Sequence, residues 1–163
     1  VEGATAVPLV TARPTPIEQP VGNLAPKLPE LFGRESELTE LEKMVIHHPL
    51  TSIVGAGGMG KTRLACVVAQ SVNPQFAEGV WLVELAHVSD ASLVSAAVAR
   101  ALGASLPGKV STQEELVRTL RDKSLLLILD NCEHLVEPIA DISATIIRPF
   151  TISASAAKMP NVP

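Results

Sequence analysis

Two hydrophobic periods alternate along this chain. Thr51-Ser52-Ile53-Val54, Val80-Trp81-Leu82-Val83-Glu84-Leu85 and Leu125-Leu126-Leu127-Ile128-Leu129 are short apolar runs of the length expected for buried strands. Before and between them apolar residues recur at helical spacing: Leu38, Leu41 and Val45; Leu64, Val67, Val68 and Val72; Leu93, Val94, Ala97, Val98, Ala101 and Leu102; Leu116, Val117 and Leu120. The punctuation agrees. The first helix carries acids in its first turn and stops near Pro49, and the second ends at Asn73-Pro74. Ser89-Asp90 caps the third and Gly103 closes it. The fourth opens on the capping box Ser111-x-x-Glu114 after a turn at Pro107-Gly108, and should stop near Lys123. Helices between strand runs predict parallel strands joined by crossovers.

Composition adds the boundaries. Residues 1–30 hold six of the 13 prolines and little periodicity, so they read as an extended linker. The chain of 163 residues is 47% apolar and 18% charged, enough for one soluble domain with a core. Its net charge is −4 with Lys and Arg scattered, which offers no footprint for nucleic acid or an anionic membrane. Cys66 and Cys132 form no metal or redox motif, and there is no signal peptide and no apolar run long enough to span a bilayer. A reducing cytoplasm is the expected compartment. Cys66 and Trp81 read as packing residues; Glu84, near its strand's end, can serve a site, although exposure at the sheet rim is the simpler reason for it. The opening Val1-Glu2-Gly3 suggests a piece of something longer.

Between the first strand run and the second helix stands Gly55-Ala56-Gly57-Gly58-Met59-Gly60-Lys61-Thr62, which matches G-x-x-x-x-G-K-[ST]. Glycines at 55, 57, 58 and 60 let the backbone turn tightly and aim N–H groups at phosphate oxygens. Lys61 supplies a point charge for the terminal phosphates, Thr62 a hydroxyl for a magnesium ion, and the helix that continues through Arg63 its positive N-terminal end. The third strand run ends in Asp130, at the edge where parallel sheets place their ligands. Paired with Lys61-Thr62, Asp130 reads as the acid that orients magnesium, although a carboxylate or Asn131 there can also simply cap the next helix.

Together with this loop, Leu31-Phe32-Gly33-Arg34-Glu35, Val80 to Ala86 and Leu129-Asp130-Asn131-Cys132-Glu133-His134-Leu135 resemble the STAND class of P-loop ATPases (NB-ARC/AAA-like). The chain is similar in particular to the ATPase module of bacterial transcriptional regulators of the LuxR and SARP types, over about residues 28–148. The resemblance implies ATP or ADP with Mg2+ as ligands. It places Arg34 on the adenine side of a pocket formed with Gly55, Gly57, Gly58, Met59, Gly60, Lys61, Thr62 and Arg63, and gives the metal to Thr62 and Asp130. It also implies that DNA is contacted only through domains outside this chain. Two departures bear on catalysis. Asn131 stands where many such ATPases carry a water-activating acid, leaving Glu133 as the nearest candidate beside Lys61 and Asp130. In Thr151-Ile152-Ser153-Ala154-Ser155-Ala156, Ala156 stands where the resemblance predicts a phosphate-sensing arginine.

The expected fold is therefore a three-layer α/β/α P-loop sandwich with a mostly parallel sheet, incomplete at its C-terminal side. A linker over 1–30, a nucleotide-binding domain over 31–155 and a tail over 156–163 divide the chain. Phe150 to Ser155 is a weak candidate for the strand between the 51–54 and 125–129 runs. Without a good strand there, those runs should lack full pairing and an exposed edge should favour self-association. The expected function is an ATP/ADP-binding switch with slow or no hydrolysis. A small-molecule kinase or a non-catalytic copy are the alternatives. A kinase should add substrate carboxylates and an Arg-rich lid, and the sequence carries neither.

Overall fold

The computed structural model describes residues 21–104, 113–135, 139–140 and 150–155, with Ala91 and 150–155 described through their backbone alone. The expected capping box at Ser111, the Pro107-Gly108 turn, Ala156 and the 156–163 tail lie outside the described residues. Helix α1 (Glu35–His47) leads into strand β1 (Leu50–Val54), helix α2 (Lys61–Val72) and strand β2 (Val80–Glu84). Helices α3 (Val94–Ala101) and α4 (Gln113–Leu120) precede strand β3 (Leu126–Asp130), and strand β4 (Phe150–Ser155) follows.

The four strands are all parallel, in the order β1-β4-β3-β2. The pairing expected to be incomplete is present. β4 pairs with β1 from Leu50↔Thr151 to Val54↔Ser155 and with β3 from Leu126↔Phe150 to Asp130↔Ala154. A strand rich in Thr, Ser and Ala can sit centrally because pairing on both sides gives its backbone N–H and C=O groups partners, whatever its side chains contribute.

Strand alternation sorts the core into two layers. Val80, Leu126 and Ile128 pack with Val45, Ile53 and the buried face of α2 (Leu64, Ala65, Cys66, Val68, Ala69, Val72). Their strand neighbours Val83, Leu125, Leu127 and Leu129 pack on the opposite face with Val94, Val98, Leu116 and Leu120. α1 and α2 thus cover one face and α3 and α4 the other, the three layers expected. β3 is buried at every position because it has a layer on each side and a strand on each edge. Trp81 is half-buried against the second layer, its indole N–H donating to the Glu78 carbonyl at 2.7 Å.

The Gly103 ending of α3 is as expected, whereas its N-terminus starts from Leu93 without a side-chain cap and Asp90 serves the turn before it. Asp90 accepts from the Ser92 N–H at 2.8 Å, which holds its carboxyl below the usual range and opens a short 3-10 turn, Ala91–Leu93, before α3. After α3 the N–H groups of Gly103 and Ala104 return to the carbonyls of Arg100 and Ala99, the paired bonds of a Schellman ending.

Residues 21–30, which proline content assigns to the linker, run with Leu31 as a strap along the body of the domain. Val21 and Asn23 bond the backbone of Val80, and the Asn23 amide donates to the Leu82 carbonyl at 2.9 Å while its oxygen accepts from the Leu82 N–H at 2.6 Å. One side chain thereby continues the ladder on the outer edge of β2. The backbones cross so closely that a Cβ on Gly22 would lie 1.9 Å from the Val80 carbonyl oxygen, and one on Gly79 2.1 Å from that of Val21. Only glycine fits at either position. Farther on, Leu24, Leu28 and Leu31 pack against the α2 layer, and three α2-side groups hold the strap's carbonyls: Asn73 to Val21, Gln70 to Pro26 and Arg63 to Glu30.

Among the described residues, one buried side-chain group has no protein partner: the Thr51 hydroxyl, on a residue only 2% exposed. An unpaired buried hydroxyl costs stability that an isosteric methyl does not. Thr51→Val is expected to raise the unfolding free energy by about 1 kcal/mol in urea titration, and a drop in stability would mean that the hydroxyl is satisfied.

Candidate nucleotide-binding site

All strands being parallel, their carboxyl ends share one edge of the sheet, and the loop from β1 to α2 lies on it. Gly58 and Gly60 take φ +78° and +75°, left-handed values at which a side chain is strained, and Gly60 is the residue from which α2 starts. At Gly57, Gly58 and Gly60 a Cβ would meet no protein atom within 4 Å, so at these three positions the loop presents open backbone. α2 has neither a capping side chain nor an acid in its first turn, whereas α1 has Glu35 and Glu37. Its leading N–H groups therefore retain their capacity to bind an anion.

The side chains of the loop complete this surface. The Lys61 ammonium donates to the carbonyls of Gly55 at 3.1 Å and Ala56 at 2.9 Å, which holds a positive charge over the loop. The Thr62 hydroxyl donates to Asp130 Oδ1 at 2.7 Å. This bond joins residues 68 positions apart, the first turn of α2 to the last residue of β3. Asp130 is 5% exposed, and a buried carboxylate in such a place needs hydrogen bonds or a cation. A hydroxyl and one carboxylate at a phosphate-binding loop suit magnesium, which takes few protein ligands and completes its shell with phosphates and water.

The other predicted residues lie farther out. Met59 is exposed on the loop. The Arg63 guanidinium is exposed and held by the Glu30 carbonyl at 2.6 Å, on the strap. Arg34 precedes α1 and pairs with Glu37 at 3.5 Å, while the neighbouring Phe32 is 82% exposed. Glu133 is exposed beyond a turn at Asn131, whose φ is +53°. Asparagine adopts that left-handed conformation more readily than other non-glycine residues, which gives its presence after Asp130 a backbone reason. Past the turn, Cys132 and Leu135 are buried in the second layer, and His134 Nε2 lies 2.7 Å from the Val88 carbonyl.

Glu84, set aside in the sequence as a rim residue, stands in register with Asp130 at the end of β2. Cys66, one turn beyond Thr62 on α2, lies within the field of both acids. Burial first, then the negative charges of Asp130 and Glu84, pushes its thiol up to about 11. Both cysteines are buried, and Cys66 stays protonated at neutral pH. Ellman's reagent at pH 8 is therefore expected to leave the folded chain unlabelled and to label both cysteines after denaturation; fast labelling of Cys66 in the folded chain would contradict this burial.

Comparison with known proteins supplies context for this geometry. The profile of the NB-ARC domain matches residues 35–139. An uncharacterised protein of Mycobacterium tuberculosis is 34% identical over 121 residues, 74% of this chain and 31% of that protein. A putative HTH-type transcriptional regulator of the same species is 36% identical over 101 residues, 61% of this chain and 11% of the regulator. The chain thus spans under a third of the first relative and a small part of the second. Among solved structures, the Aeropyrum pernix ORC2 protein, described as ADPNP-ADP complexes, superposes with a TM-score of 0.64 at 16% identity, covering 80% of this chain and 42% of that one. That likeness confirms the α/β P-loop fold. Among the described residues no helix is long and apolar enough to cross a membrane.

Proposed function

The chain belongs to the NB-ARC domain family, and from that premise we propose that it is an ATP/ADP-binding switch module of a larger regulatory protein. The observation that carries the reading is the 2.7 Å bond from Thr62 to Asp130, which joins the helix that starts at the phosphate loop to the acid at the sheet's carboxyl edge. Gly55 to Gly60 present backbone N–H groups to the phosphates, and Lys61 exchanges its loop carbonyls for phosphate oxygens. Thr62 and Asp130 would hold magnesium, directly or through water, and the ion would neutralise the polyphosphate charge. Arg34, at the start of α1, takes the adenine side.

Turnover by these residues is slow or absent. Asn131 has no proton-accepting carboxylate, and its backbone turn carries Glu133 to an exposed position. A bound nucleotide then acts as a persistent state rather than a transient substrate. The helix-turn-helix regulator among the relatives suggests the readout: other parts of the protein contact DNA, and this module sets when.

Two measurements test the reading. Isothermal calorimetry with Mg-ADP is expected to give binding that Lys61→Ala weakens by about 2 kcal/mol, roughly thirtyfold, for loss of a charge-assisted contact; equal affinity in the variant would sink the phosphate-loop assignment. Steady-state phosphate release from Mg-ATP is expected to fall far below the roughly 10 per second of a median enzyme. A rate near that value would refute the switch in favour of an efficient ATPase.

A further inference from the structure

Strand register brings a second carboxylate to the metal side of this site. The pairs Ile53↔Ala154, Ala154↔Asp130 and Asp130↔Glu84 form one continuous row across all four strands, one step short of the end of β1. Register partners in a pleated sheet project to the same face. For this row the face is fixed at both sides of Asp130. Ile53 belongs to the α2 layer, as do Ile128, two residues before Asp130, and Leu82, two residues before Glu84. Asp130 itself reaches α2 through Thr62. Glu84 therefore projects to the α2 side next to Asp130, on strands spaced about 4.8 Å apart. The rise of the Cys66 thiol, to which both acids contribute, agrees with that placement.

We infer that Glu84 is a positioning carboxylate of the magnesium site, holding water of the metal's shell beside Asp130 and Thr62. The inference rests on the nucleotide-binding reading above and adds a residue to it. Glu84 is exposed while Asp130 is buried under Thr62, so the two acids divide the work. Asp130 anchors the hydroxyl that meets the metal. Glu84 would act from the open side, on water that a magnesium ion would keep there. Glu133 is the control: it is closer to Asp130 in sequence but lies past the left-handed turn at Asn131.

The sign of the effect separates this role from a structural one. With no metal, a negative Glu84 repels the phosphates and weakens ADP binding; with magnesium it attracts the cation and strengthens it. The experiment is calorimetry of ADP on the whole chain, in excess Mg2+ and again in EDTA, for the parent, Glu84→Gln and Glu133→Gln. The ratio of the two affinities is expected to fall roughly five- to tenfold in Glu84→Gln, the size of one solvated charge acting on a divalent ion a few ångströms away. Its affinity in EDTA should equal or exceed that of the parent, and Glu133→Gln should match the parent in both conditions. A Glu84→Gln variant that keeps the parent ratio overturns the inference, and so does equal weakening with and without metal, which would make Glu84 a support of the fold. If the parent itself fails to bind ADP in either condition, the nucleotide reading is what fails, and the inference falls with it.

Discussion

The hydrogen bond from Thr62 to Asp130 sets a condition that the whole sheet must meet. Its partners belong to the first turn of α2 and the last residue of β3, and β4 lies between β3 and the strand that feeds α2. The hydroxyl reaches the carboxylate only if three strands stand in one register and α2 lies across them at a fixed height. Both halves of that requirement are visible in the core. Ile53 and Ile128 pack in the same layer as Leu64, Val68 and Val72, so apolar contact along α2 sets its height. A polar bond of modest net strength depends on a hydrophobic layer, which carries most of the stabilisation.

The opposite layer has another task. α3 and α4 pack on Val83, Leu127 and Leu129, on the face opposite the α2 layer. They keep the sheet dry on its second face and hold the turn after β3, whose Cys132 and Leu135 sink into the same layer. The site is thus built from one face and supported from the other. The two acids at the strand ends point into the face that carries α2.

Much of this was legible because periodicity and motif are local. The runs around Ile53, Val83 and Ile128 announced strands, the spacing from Leu64 to Val72 announced α2, and Gly55 to Thr62 named the ligand class. Pairing Thr62 with Asp130 needed only the rule that parallel sheets gather function at their carboxyl edge. What escaped depended on partners distant in sequence. Phe150 to Ser155 looks too polar for a central strand, yet pairing on both sides makes it one. Glu84 looks like a rim residue until register sets it beside Asp130. The strap was read as a linker because proline content says nothing about what Asn23 or Leu28 will touch, and an asparagine that completes a ladder has no local signature.

That strap gives the domain a directional seam. Its carbonyls are held at Val21, Pro26 and Glu30 by Asn73, Gln70 and Arg63, so it runs antiparallel to α2 and its last stitch lies beside the phosphate loop. Tension applied ahead of Val21 and directed away from α2 would load these stitches one after another, as in opening a zip, whereas a pull along the strap would share the load among them. The edge of β2 and the C-terminal end of α2 would open first, each step exposing few apolar side chains and costing far less than global unfolding. Only at the final step, when Arg63 is released, would the pull arrive at the residue next to Thr62. The order of release is written into the chain's direction, and mechanical work done at the N-terminal side reaches the Thr62 hydroxyl last.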